Sequence, residues 1–159
     1  MRERLLTGEE AVRLLDLGGE AELDGLVACG RLLLSGGAAP GFSVSELIIC
    51  RLAQVIEHVG VEPEKARTYA EAVLVPRLEE NDENVFDWVD NETQELFCLI
   101  ADKELARIFL KSQHDAKEID VGAVKPMLFP VTQCQVNVFR AIRPVLLRAR
   151  RLLKLDVAQ

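Results

Sequence analysis

The chain has no apolar run close to the roughly 20 residues that span a bilayer, and its charged opening Met1-Arg2-Glu3-Arg4 leads into no secretory core. It has no C-x-x-C pair. Cys29, Cys50, Cys98 and Cys134 are scattered, which argues against a zinc site or a disulfide framework and for reduced thiols in a cytoplasmic protein. It also lacks a positive excess: 19 Lys and Arg face 26 Asp and Glu, a net charge of -7, the wrong sign for a generic nucleic-acid binder. What remains is ordinary globular composition, 49% hydrophobic and 28% charged over 159 residues. That suits one domain, or a small module with an extension.

Charge is unevenly distributed. Eight acids and no bases lie between Glu79 and Glu95, whereas six bases (Arg140, Arg143, Arg148, Arg150, Arg151 and Lys154) and no acids lie between Asn137 and Leu155. The basic stretch either contacts phosphates or lies against the acidic one, within a chain or across a dimer.

The N-terminal half is clearly punctuated. Thr7 and Glu10 fit a capping box for a first helix with Ala11, Leu14 and Leu15 inward. Gly18-Gly19 breaks it. A second helix runs from about Glu20 to Cys29 on Leu23, Leu26 and Val27, with Gly30 as its cap. Leu32-Leu33-Leu34 reads as a short strand, and Ser35 to Gly41 as a mobile loop or wing. Ser43 and Glu46 form another capping box, opening a helix with Leu47, Ile48, Leu52, Val55, Ile56 and Val59 inward, which Gly60 ends. Pro63 opens a further helix carrying Ala66, Tyr69, Ala70 and Val73 that fades near Pro76.

In their order, these pieces resemble the MerR and excisionase superfamily of winged helix-turn-helix proteins over residues 5 to 75. The likeness rests on L-T-x-E-E-A-x-x-L-L at Leu6 to Leu15, Gly30-Arg31-Leu32, Phe42-Ser43-Val44-Ser45-Glu46-Leu47 and Val59-Gly60-Val61-Glu62-Pro63-Glu64-Lys65. It implies a dimeric, DNA-binding transcription regulator whose helix after the DNA unit dimerises. The departures fall on the DNA-reading positions. Asp24 stands where the family has Arg, Gly25 where it has the first Tyr, and Pro40 near the wing Arg. From Glu20 to Gly41 the one base is Arg31, against Glu20, Glu22 and Asp24. Carboxylates repel phosphates, whose neutralisation supplies most nucleic-acid affinity.

Glu95 to Ala101 and Leu105 to Leu110 flank Asp102-Lys103-Glu104 and predict a β-hairpin, with a single helix as the alternative. Ile119 to Val131 reads as another strand or a short helix ending near Pro130. Val136, Phe139, Ile142, Leu146, Ala149 and Leu153 recur at helical spacing, predicting an amphipathic helix that Pro144 starts, interrupts or kinks. This helix either dimerises the protein or closes the monomer's own core. The expected architecture is mainly α with a small β component: a winged helix-turn-helix over residues 1–78, an acidic linker over 79–94, and an α/β extension with a C-terminal helix over 95–159.

No catalytic group stands out. His58 lies near a helix end and His114 in a polar loop, and Cys29 and Cys50 read as small buried hydrophobes. Glu79 to Glu83 lacks the apolar surroundings that tune an acid. No cofactor and no metal is expected. The residues expected to touch nucleic acid are Arg31, Arg140, Arg148, Arg150, Arg151 and Lys154. Phe86 and Trp88 either anchor the acidic stretch to the core or form a hot spot for a protein partner. Three roles are compatible with these residues: a transcription regulator of the MerR type, a regulator-derived protein-interaction module, and a small-molecule or redox sensor. The sensor requires an apolar pocket near Phe97, Phe109 and Phe129.

Overall fold

The computed structural model describes residues 4–80, 85–90, 93–122, 124 and 129–157. Helix α1 (Gly8–Leu15) opens on a complete capping box: the Glu10 amide donates to the Thr7 hydroxyl and the Glu10 carboxylate accepts from the Thr7 amide. Asp16 ends it in the left-handed region. Across Gly18-Gly19, α2 (Glu20–Ala28) follows, buries Leu23 alone, and closes at Gly30 with φ 74°.

Residues 31–42 double back as a small wing. Ser35 and Gly41 exchange two backbone hydrogen bonds, and so do Leu6 and Phe42, which stitches the wing to the start of the chain. A Cβ at Gly36 (φ 98°) would lie 2.3 Å from the Leu5 side chain, so this tight tip demands glycine. The strand expected at Leu32-Leu33-Leu34 does not form. The Leu32 amide donates to the Leu26 carbonyl and the Leu33 amide to the Glu46 carboxylate, so this backbone is satisfied without a ladder.

Helix α3 (Val44–His58) is capped by Ser43 Oγ, which accepts from the Glu46 amide at 3.0 Å. It buries Val44, Leu47, Ile48, Ile49, Cys50, Leu52, Ala53 and Ile56. A helix apolar nearly all round belongs at the centre of a core. Helix α4 (Pro63–Glu80) packs along it and continues past Pro76, where the sequence predicted fading. Pro76 is exposed and forfeits one intrahelical bond, while Val73 and Leu74 beside it are buried and keep the helix in place.

The C-terminal half builds a four-stranded antiparallel sheet in the order β3-β2-β1-β4. The predicted hairpin is present as β1 (Gln94–Ala101) and β2 (Glu104–Ser112). Its two-residue turn, Asp102-Lys103, has φ 48° and 64°, the hand that matches strand twist. Of the predicted element at Ile119 to Val131, only β3 (Glu118–Asp120) is formed among the described residues; 123 and 125–128 lie outside them. Strand β4 (Gln133–Asn137) pairs with β1 and contains Val136, which the periodicity had placed in the last helix. That helix, α6 (Val138–Val157), passes through an exposed Pro144.

Helix α6 buries Ile142, Val145, Leu146 and Ala149, and it packs on α3, α1 and β1. Its apolar stripe therefore closes the chain's own core, and one cluster of buried residues runs from Leu14 and Leu52 to Leu96 and Leu146. Residue 78 lies inside α4, and the segment read as a linker carries a short helix, α5 (Asp87–Asp90). Trp88 in α5 is buried and stacks on Phe139 of α6, ring centroids 5.6 Å apart. The result is a mixed α+β architecture. Among the described residues no helix is long and apolar enough to cross a membrane.

Candidate functional site

The six cations proposed for nucleic acid lie on the flank of α6 and at the end of α2, and most of them are engaged within the chain. Arg150 grips Asp90 with two hydrogen bonds of 2.6 and 3.2 Å. These bonds hold the Asp90 carboxyl below the usual carboxylate range. Lys154 adds its charge near the same carboxylate. Arg140 meets Glu95 at 3.4 Å, and Arg148 donates to the Leu14 carbonyl and lies 3.8 Å from Asp16. Arg143, their neighbour, donates to the Val89 carbonyl. Arg31 pairs with Glu57 at 2.9 Å. Arg151 is exposed and has no ion pair among the described residues. The basic and acidic blocks of the sequence thus meet inside one chain. Trp88 pins the acidic one: it is buried and Phe86 half-buried, so Trp88 serves as an anchor and not as a presented side chain.

Helix α2 has the opposite character. Glu20, Ala21, Glu22, Asp24, Gly25 and Ala28 are all exposed. Glu22 accepts from the Gly18 amide at 3.1 Å and steadies the α1–α2 turn. The wing that follows holds Leu33 and Leu34 half in water. Cys29 is exposed, not the buried hydrophobe its sequence position suggested. The helix touches the core chiefly through Leu23, and Cys29 lies beyond its last turn.

Between the end of α2 and the start of α4 lies a cleft of about 630 Å³ lined by Cys29, Gly30, Arg31, Glu62, Pro63, Glu64 and Arg67. Its arginines are occupied. Arg67 donates to both oxygens of Glu46 (2.6 and 3.2 Å), to Glu71 at 2.8 Å and to the Arg31 carbonyl at 2.8 Å. Burial opposes its charge, but Glu46 and then Glu71 outweigh that and raise its pKa. Glu46, in turn, accepts the Leu33 amide. One ion pair therefore ties wing, α3 and α4 together. The sequence reading had missed it: Glu46 was assigned to a capping box, but only the Ser43 half of that box forms. With Arg31 and Arg67 engaged, Glu62, Glu64 and the Cys29 thiol are the cleft's remaining polar lining groups.

The sheet carries a second, smaller cluster. Phe97 and Phe109 stack at 5.4 Å, and the Arg107 guanidinium covers the Phe109 ring at 4.4 Å. Arg107 is held by Glu118 and Asp120. Phe109 is fully buried and Phe129 is 94% exposed, so the three phenylalanines enclose no common pocket. The adjoining hollow, about 260 Å³, is lined by Glu95, Phe97, Lys111, Ser112, Gln113 and Ala116. Burial pushes the Cys50 and Cys98 thiols up to about 12, which leaves them unreactive. No group of His, Cys, Asp and Glu suited to a metal ion exists among the described residues. His58 and His114 are both exposed.

The chain matches no protein-family model, and no curated protein is significantly similar to it.

Proposed function

We propose that this protein is a winged-helix module of the MerR type that binds another protein through α2, the wing and the adjoining acidic cleft. The observation that carries this reading is the division of charge. The cations of α6 and Arg31 are mostly engaged by Asp90, Glu95, Asp16 and Glu57, while Glu20, Glu22 and Asp24 on α2 face water. The lineage is supported by the order of helix, turn, helix, stitched wing and long helix, together with the sequence resemblance. The surface that would read DNA in such a scaffold here carries carboxylates, small residues and the exposed Leu33-Leu34 pair. A partner suited to it presents Lys or Arg around an apolar contact, because opposite potentials steer association and charge-matched rims set specificity.

Fluorescence anisotropy with random-sequence duplex DNA, from low to physiological salt, tests the negative half of this reading. Folded protein is expected to leave the duplex free at every salt concentration. Salt-sensitive binding would overturn it in favour of a transcription regulator, since loss of affinity with salt is the mark of phosphate contacts. Affinity capture from the native cell extract tests the positive half: a partner held by the wild type should be lost with Glu20→Lys and Asp24→Lys together. A partner set unaffected by that double substitution would exclude the α2 surface.

A further inference from the structure

We propose that the outer edge of β4 is where two copies of this chain join, strand to strand and antiparallel, into one continuous sheet. The pairing pattern exposes this edge. The Asp102 amide donates to the Thr132 carbonyl at 2.9 Å, so Thr132 bonds inward toward β1. Alternation along an antiparallel ladder then turns Cys134 and Val136 inward and Gln133, Gln135 and Asn137 outward. Gln133 and Gln135 are exposed. Among the described residues their outward amides have no partner, and the Gln135 carbonyl meets only the adjacent Cys134 thiol at 3.7 Å.

The two edges of the sheet are built differently. Strand β3 is three residues long and carries Glu118 and Asp120, both engaged by Arg107. Short length and charge are the usual devices that keep an edge from pairing. Strand β4 is Gln-Cys-Gln-Val-Asn, with no charge, no proline and no bulge in its pairing with β1. Just before it stand the two most exposed large apolar side chains among the described residues, Phe129 at 94% and Val131 at 92%. The backbone at Val131 is held: the Asp102 carboxylate accepts from the Val131 amide at 3.0 Å and the Thr132 amide at 2.9 Å.

A second copy fits this edge. Antiparallel pairing centred on Gln135 sets Gln133 against Asn137, whose carboxamide is already held by Glu95 and the Arg140 amide, and sets Gln135 against its own counterpart, a carboxamide that both donates and accepts. The same register leaves Val131 and Phe129, just before β4, at the two ends of the joined strands. The pairing thus satisfies the open backbone of both edges.

Light scattering coupled to size exclusion at micromolar concentration reads the outcome. The wild type is expected at twice the 17.7 kDa of the chain. Gln135→Pro removes only the outward donor and keeps the bonds to β1, and Gln135→Lys opposes two cations at the two-fold axis. Both are expected at the single-chain mass with unchanged circular dichroism and with a melting temperature that no longer rises with protein concentration, as the wild type's does. If the proline variant fails to fold, the lysine variant decides. A monomeric wild type, including one that instead binds an added extended peptide, would overturn the proposal. So would a folded Gln135→Lys protein that stays dimeric.

Discussion

Helices α6 and α2 carry the two sharpest charge patterns of the molecule, and they are used in opposite ways. On α6, Arg140, Arg148 and Arg150 find partners in the same chain: Glu95 on β1, the Leu14 carbonyl and Asp16 at the end of α1, and Asp90, which Trp88 pins beside the helix. On α2, Glu20 and Asp24 face water and only Glu22 has a local task. A block of charge in a sequence therefore says little until its neighbours are known. Most of the basic block, Arg151 excepted, is engaged within the chain, and the acids of α2 face water.

Trp88 gives the largest expected effect. As an anchor it is part of the core, so Trp88→Ala should cost about 3 kcal/mol in urea unfolding. A loss below about 0.5 kcal/mol, the size of an ordinary surface substitution, would instead return Trp88 to the role of an exposed hot spot. Next is the lock under the wing. Glu46→Ala strips Arg67 and the Leu33 amide of an acceptor in a nearly enclosed place, side chains 12% and 13% exposed. About 2 kcal/mol should be lost, with faster amide exchange at Leu33 as the local signature.

The smallest effect belongs to the α6 surface pair. Exposed ion pairs contribute little, so Arg150→Ala should barely move the melting temperature at neutral pH. Its trace lies in acid. Hydrogen bonds from Arg150 depress the Asp90 carboxyl in the folded state. The stabilisation is therefore present above the ordinary carboxylate value of about 3.9 and lost as pH falls through the folded value. The variant should lack that part of the acid limb, read as an Asp90 titration shifted upward in carboxyl NMR.

Much of the fold was legible in sequence. The Thr7-Glu10 box, the Gly18-Gly19 break, Gly30 and the Asp102-Lys103 turn are local signals, and all were found where expected. The failures came where distant contacts decide. Strand β4 alternates polar and apolar residues over only five positions and runs straight into α6, so its Val136 reads equally well as part of the helix until the pairing with β1 is seen. Glu46 satisfied a local capping pattern but is drawn away by Arg67, 21 residues on. The sequence has α4 fading near Pro76 and leaves Pro144 to start, interrupt or kink the last helix, yet packing carries both helices through these residues. Within the candidate site, the acids of α2 were evident from the sequence. The pairing of the α6 cations was left open, since their partners come from three distant places in the sequence: Asp16 after α1, Asp90 in α5 and Glu95 in β1.

The most direct test is the DNA affinity of the wild type beside that of a variant combining Asp16→Asn, Asp90→Asn and Glu95→Gln, measured by anisotropy at low salt. If the α6 cations are held by these three acids, the wild type should leave the duplex free and the variant should bind it with marked salt sensitivity. Tight binding by the wild type, with no gain on removing the acids, would contradict the assignment of these charges to the fold.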